Sequence, residues 1–181
     1  MSGASGPERN TLQLCLRFLV LAPACLVLWL MALPAYTWLV CQAAFPVLKY
    51  VFHFTVQGVS VTKAGFLNME TSLSYPMGEV VRTMVDMGHL LTNVAPYVAL
   101  VLATPKIAWL RRLGILAAGI GIIFVFHVAT TVLRFAMGKT SLPTAIGFIA
   151  ITLPFLLWIV LAYWDKLVAY LGNDDSPEDV V

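Results

Sequence analysis

Residues 12–33 are apolar almost without a break, apart from Arg17 and a few small polar side chains. A helix rises 1.5 Å per residue, so about twenty such residues cross the roughly 30 Å of bilayer hydrocarbon. The run therefore predicts a membrane span. Further runs at 86–103, 113–133 and 145–164 predict three more. Thr104-Pro105 closes the second, and the tight turn that follows carries Lys106, Arg111 and Arg112. Pro154 predicts a kink or a local loosening of the fourth span.

Between the first and second spans the pattern changes twice. Residues 34–50 are apolar but broken by Pro34 and Pro46, and they carry Tyr36, Trp38 and Tyr50. Rings with polar tips favour the headgroup level, so this stretch predicts a helix lying in the interface; a fifth span is the competing reading. Over residues 54–73, Val59 and Val61 alternate with Ser60 and Thr62. A turn at Lys63-Ala64-Gly65 follows, and Leu67, Met69 and Thr71 then alternate with Asn68 and Glu70. Period-two alternation on both sides of a glycine turn predicts a β-hairpin. It belongs outside the hydrocarbon, where its edges can meet water. Ser74-Tyr75-Pro76 then opens the second helix, with Met77, Val80, Val81, Met84 and Val85 on its first face. The polar start at 1–10 and the acidic tail at 172–181 lie outside the packed chain.

The expected fold is an all-α membrane protein with about four transmembrane helices. An extracytoplasmic interfacial helix and a small β-hairpin lie between the first and second, and residues 1–181 form a single integral membrane domain. Composition agrees: 60% of the 181 residues are hydrophobic and 11% are charged, against about 45–50% and 25% in soluble domains. The mean hydropathy is +0.88. The formal net charge of +2 gives no reason to expect nucleic acid as a partner. Cys15, Cys25 and Cys41 show no metal or disulfide spacing, and the first two read as small core residues. The basic flank of the first run also fits a signal peptide. No small-x-small cleavage site follows it, which favours a retained helix.

Charge sets the expected direction. Lys106, Arg111 and Arg112 place the turn between spans two and three on the cytoplasmic side. Four spans then leave both termini cytoplasmic, as Arg9 and Arg17 agree, and residues 34–85 on the far side.

Ionisable groups inside spans cost about 2.5–3.5 kcal/mol each on insertion scales, which marks them as functional candidates. Asp86, His89 and Asn93 follow i, i+3, i+7 spacing, with Arg82 one turn earlier on the same face; His127, Thr131 and Arg134 share a face at i, i+4, i+7. Asn93 lies roughly 10 Å inside Asp86 and His127 roughly 10 Å inside Arg134, so antiparallel helices would gather all seven into one polar pocket. Plainer roles are open for each. Arg82 and Asp86 suit an edge ion pair, His127 a neutral core histidine, and Asn93 glue between helices.

The stretch from Asp86 to Phe135 resembles the exosortase/archaeosortase family, multi-spanning membrane transpeptidases that process proteins with C-terminal sorting tails. The resemblance rests on the basic turn Trp109-Leu110-Arg111-Arg112-Leu113 and on the helix end Ala129-Thr130-Thr131-Val132-Leu133-Arg134-Phe135. It would give Arg134 the position of the family's active-site arginine. The catalytic cysteine is missing: Val85-Asp86-Met87-Gly88-His89 stands in its place, and Thr131 replaces the usual asparagine. Without a thiolate that mechanism has no nucleophile. Size and layout are closer to the small exosortase-associated membrane proteins.

The resemblance implies a non-catalytic accessory or scaffold subunit of a protein-sorting system in the bacterial inner membrane. Its partners would be lipids and another membrane protein such as an exosortase. Three alternatives stand beside it: a haem b protein with His89 and His127 as axial ligands, an enzyme using Asp86 with His89 as an acid–base pair, and a structural subunit of another membrane complex. The leading reading needs no cofactor and no metal.

Overall fold

The structure is a computed structural model that describes residues 7–53, 58–63, 69–74, 80–81, 93–137, 142–164 and 168. Its interior is built from four helices: α1 (Pro7–Pro46), α2 (Val94–Ala103), α3 (Trp109–Met137) and α4 (Leu142–Ala162). Two helical stretches, Thr11–Val51 and Trp109–Leu133, are long and apolar enough to cross a membrane; Val94–Ala103 and Phe148–Ala162 are shorter apolar helices.

The largest departure from expectation is α1. It runs for 40 residues through Pro23 and Pro34 and ends only at Pro46, so residues 34–46 continue the first helix and form no separate interfacial one. A proline removes one backbone donor and crowds the preceding turn, which ends many helices in water. In an apolar setting, neighbouring helices and hydroxyl side chains can make good the loss. Thr37 Oγ1 donates to the Leu33 carbonyl at 2.9 Å, while the carbonyl that Pro34 deprives of its helical donor is that of Leu30. The side chains of Leu33, Tyr36, Thr37, Val40, Cys41, Ala44 and Leu48 form a buried stripe at helical spacing, and that stripe holds the second half of the rod against the bundle. A π-helical turn, Val47–Val51, follows α1. The chain leaves it at His53, whose φ of 53° is left-handed. Lys49 sits 5.8 and 5.6 Å from the rings of Phe45 and Tyr50.

Contacts between named residues fix the helix directions. Tyr36 meets His127, while Ala44 and Leu48 cluster with Val132, so α1 and α3 run the same way. Tyr97 meets Ile115 and Thr104 meets Arg112, so α2 and α3 are antiparallel. Asn93 meets Ala150 and Thr104 meets Trp158, so α2 and α4 are parallel. Each helix thus reverses the one before it. The π-helical turn and the 104–108 turn lie at opposite ends of the bundle.

Strands β1 (Gly58–Lys63) and β2 (Met69–Ser74) pair antiparallel from Gly58↔Ser74 to Lys63↔Met69. The expected hairpin turn at Lys63-Ala64-Gly65 falls mostly on residues 64–68, outside the described residues. Val80 and Val81, expected on the apolar face of the second helix near its start, instead form β3 and pair with Ser74 and Leu73. Two adjacent β-branched residues favour the extended backbone, and the free edge of β2 offers them partners.

The core gathers Leu33, Tyr36, Val40 and Cys41 of α1, Val94, Tyr97 and Val101 of α2, and Ile115 and Ile123 of α3. Of the cysteines, only Cys41 is buried; Cys15 is exposed and Cys25 half-buried, so the first two are not core residues. The small residues Gly114, Ala117, Ala118 and Gly121 of α3 lie on its outer surface. Ala117 and Ala118 are exposed, and a Cβ added at Gly114 or Gly121 would meet nothing within 4 Å. The glycine that admits α2 is Gly119, where a Cβ would overlap the Tyr97 hydroxyl and ring.

Candidate functional site

His127 is the centre of the polar interior. It is 1% exposed, and its Nδ1 lies 2.9 Å from the Tyr36 hydroxyl on α1. The direction follows the tautomer: with the ring proton on Nε2 the phenol donates to Nδ1, and with it on Nδ1 the imidazole donates to the phenol oxygen. Trp29 and Phe124 stand edge-on to Tyr36 at 4.8 and 5.9 Å between ring centroids. Below the imidazole, Thr130 and Thr131 both turn their hydroxyls onto the His127 carbonyl, at 3.0 and 2.7 Å. Back-bonding of this kind satisfies a hydroxyl within its own helix, at a small cost in straightness.

Asn93 is buried at the start of α2, and its Nδ2 donates to the Ala150 carbonyl of α4 at 2.8 Å. One helical turn on, the Tyr97 hydroxyl donates to the Ile115 carbonyl at 2.6 Å. The three predicted site residues with described side chains therefore turn to different neighbours: His127 to α1, Asn93 to α4, and Thr131 to its own backbone. Of the three, Thr131 and His127 are joined through the His127 carbonyl. Arg82, Asp86 and His89 lie outside the described residues; Arg134 is placed on α3, but its side chain is not described.

Tyr36 was missed by the sequence reading, which put it at the headgroup level. The signal was present in its spacing, because Leu33, Tyr36, Val40 and Ala44 fall on one face of a continuous helix. Trp38 and Tyr50 are 49% and 69% exposed, on the outer surface.

A second polar cluster closes the bundle at the 104–108 turn. Thr104 caps α2 with its N–H on the Leu100 carbonyl at 3.1 Å, and its Oγ1 donates to the same carbonyl at 2.7 Å. That Oγ1 accepts from Trp158 Nε1 on α4 at 2.8 Å, and the Thr104 carbonyl accepts from Arg112 Nη2 on α3 at 2.8 Å. One residue therefore ties three helices together. Pro105 and the left-handed Lys106, at φ 64°, carry the chain around.

Phe18, Leu19, Ala22, Pro23 and Leu26 of α1, with Asn93, Ala95 and Pro96, line an apolar groove of about 520 Å³. Comparison with protein-family models, curated proteins and solved structures finds no match to this chain.

Proposed function

We propose that this chain is a non-catalytic, multi-pass membrane scaffold. It would cross the membrane about four times, with an outer β-hairpin, both termini in the cytoplasm and the 104–108 turn on the cytoplasmic face. The observation that carries this reading is how the described polar interior groups are used. Tyr36 with His127, Asn93, Tyr97 and Thr104 each join one helix to another. Bonds of this kind are the ordinary glue of membrane bundles. The alternating helix directions support the topology, because they put successive connections at opposite ends.

The resemblance of Trp109–Leu113 and of the α3 end to exosortase-type proteins suggests the setting: an accessory subunit in a protein-sorting system of a bacterial inner membrane. The exposed apolar side chains of Leu12, Leu16, Leu19 and Val20 on α1 suit contact with lipid or with another membrane protein. Purification in mild detergent, followed by mass-spectrometric identification of copurifying proteins, tests the reading. A stoichiometric integral-membrane transpeptidase among them supports it. A chain that purifies alone and turns over a sorting-tail peptide would reject it.

A further inference from the structure

Among the described side chains there is no carboxylate, yet Arg112 is held half-buried at the end of the bundle. Its Nη2 is fixed on the Thr104 carbonyl, and Trp158 holds Thr104 in turn. Its Nε is enclosed, with no hydrogen-bond partner among the described residues. Arginine normally escapes such a position, since its long stem lets the head reach water. A half-buried guanidinium carries a desolvation penalty that an anion beside its outward face would offset. The Trp109 ring lies 6.0 Å from the guanidinium carbon and is 61% exposed. Lys106 is exposed on the same turn, and Tyr163 stacks edge-on to Trp158 at 5.6 Å. Two tryptophans and a tyrosine around fixed and flexible cations form the composition of a headgroup-level site.

We propose that the Thr104–Arg112 end of the bundle binds the phosphate of an anionic phospholipid. Arg112 is the oriented donor and Lys106 the mobile second charge, while Trp109 lies against the glycerol and upper acyl region. The bond to Thr104 fixes one edge of the guanidinium, so the N–H groups other than the enclosed Nε would meet a phosphate with little loss of rotamer freedom. This inference rests on the membrane reading above, because it needs the turn at headgroup depth.

The test uses the full-length chain, purified in mild detergent and returned to nanodiscs of phosphatidylcholine alone or with added phosphatidylglycerol. Native mass spectrometry should show about one phosphatidylglycerol retained per chain, in preference to phosphatidylcholine. Arg112→Gln should lower that retention tenfold or more. Lys106→Gln should lower it roughly fivefold, the weight of one surface cation near a membrane. Arg112→Lys keeps the charge but loses the planar fork, and it serves where Arg112→Gln fails to fold; it should retain an intermediate amount. Equal retention of the two lipids by the unaltered chain, or undiminished retention in a folded Arg112→Gln, overturns the proposal. So does inorganic phosphate raising the thermal midpoint as far as phosphatidylglycerol does, which would make free phosphate the ligand. A thiol reagent applied in sealed vesicles to Lys106→Cys, in a chain whose Cys15, Cys25 and Cys41 are replaced by alanine, tests the membrane reading separately, since a turn labelled only from the far side would refute the orientation and leave the lipid measurement intact.

Discussion

The hydroxyl of Tyr36 and Nδ1 of His127 meet at 2.9 Å across 91 residues of sequence. This contact joins α1 to α3 at the point where both side chains are buried. An imidazole in that position needs a partner, and the phenol supplies one without introducing charge. Tyr36→Phe removes the hydroxyl that meets Nδ1. It should lower the thermal midpoint in detergent, with a stability loss of about 0.5–2 kcal/mol. An unchanged midpoint would show that the contact contributes nothing net.

Gly119 and Tyr97 predict a sharp contrast among the α3 glycines. Gly119→Ala forces the new methyl into the Tyr97 ring and should cost about 1–3 kcal/mol. Gly114→Ala and Gly121→Ala meet open space. They should be neutral, or stabilising by up to about 1 kcal/mol, because alanine is the better helix former. Thermal unfolding of the three variants side by side decides it; three equal losses would reject the packing.

Asn93 should act as a donor to α4 and not as an ionisable group. Asn93→Leu loses the bond to the Ala150 carbonyl, at about 0.6–1.7 kcal/mol on membrane-protein scales. Asn93→Asp substitutes an acceptor for the donor and should be worse, increasingly so as the pH rises and the carboxylate ionises against a carbonyl. Stability measured from pH 5 to 8 would show that slope; a flat profile at wild-type stability would contradict the bond.

The tie at Thr104 should couple two helices. Trp158→Phe and Thr104→Val each remove the Nε1 to Oγ1 bond, so a double-mutant cycle should return about 0.5–1.5 kcal/mol of interaction. Strict additivity would mean that the two residues do not act together.

Topology has its own measurement. A reporter fused at Lys63 should appear on the outer side, and one fused at the C-terminus in the cytoplasm. A cytoplasmic signal at Lys63 would reject the proposed orientation.

Helix existence was legible wherever apolar residues ran long. The run expected at 113–133 lies within Trp109–Met137, and the one expected at 145–164 overlaps Leu142–Ala162 and outlasts it by two residues. The second, expected over 86–103, is described only from Val94. The break expected at Pro34 is absent because the stripe from Leu33 to Leu48 is buried against the bundle on one continuous helix, and that packing outweighs the backbone bond lost at the proline. Val80 and Val81 were read by helical period, although two β-branched residues beside a strand edge favour pairing. Within the candidate site, burial of His127 and Asn93 could be anticipated from their apolar surroundings. Their partners could not, because Tyr36 and Ala150 lie 91 and 57 residues away, and single-sequence spacing carries no information across helices.

The length of α1 has a mechanical consequence. Its packing against the core begins at Trp29 and Leu30, so the segment back to Thr11 extends about 27 Å from that fulcrum. A pivot of about 10° at the clasp around Tyr36 displaces the far end by about 5 Å, close to one helical turn of travel. Whatever grips the N-terminal arm therefore works with a long moment arm, and a small rearrangement beside His127 becomes a large excursion at the other end of the rod.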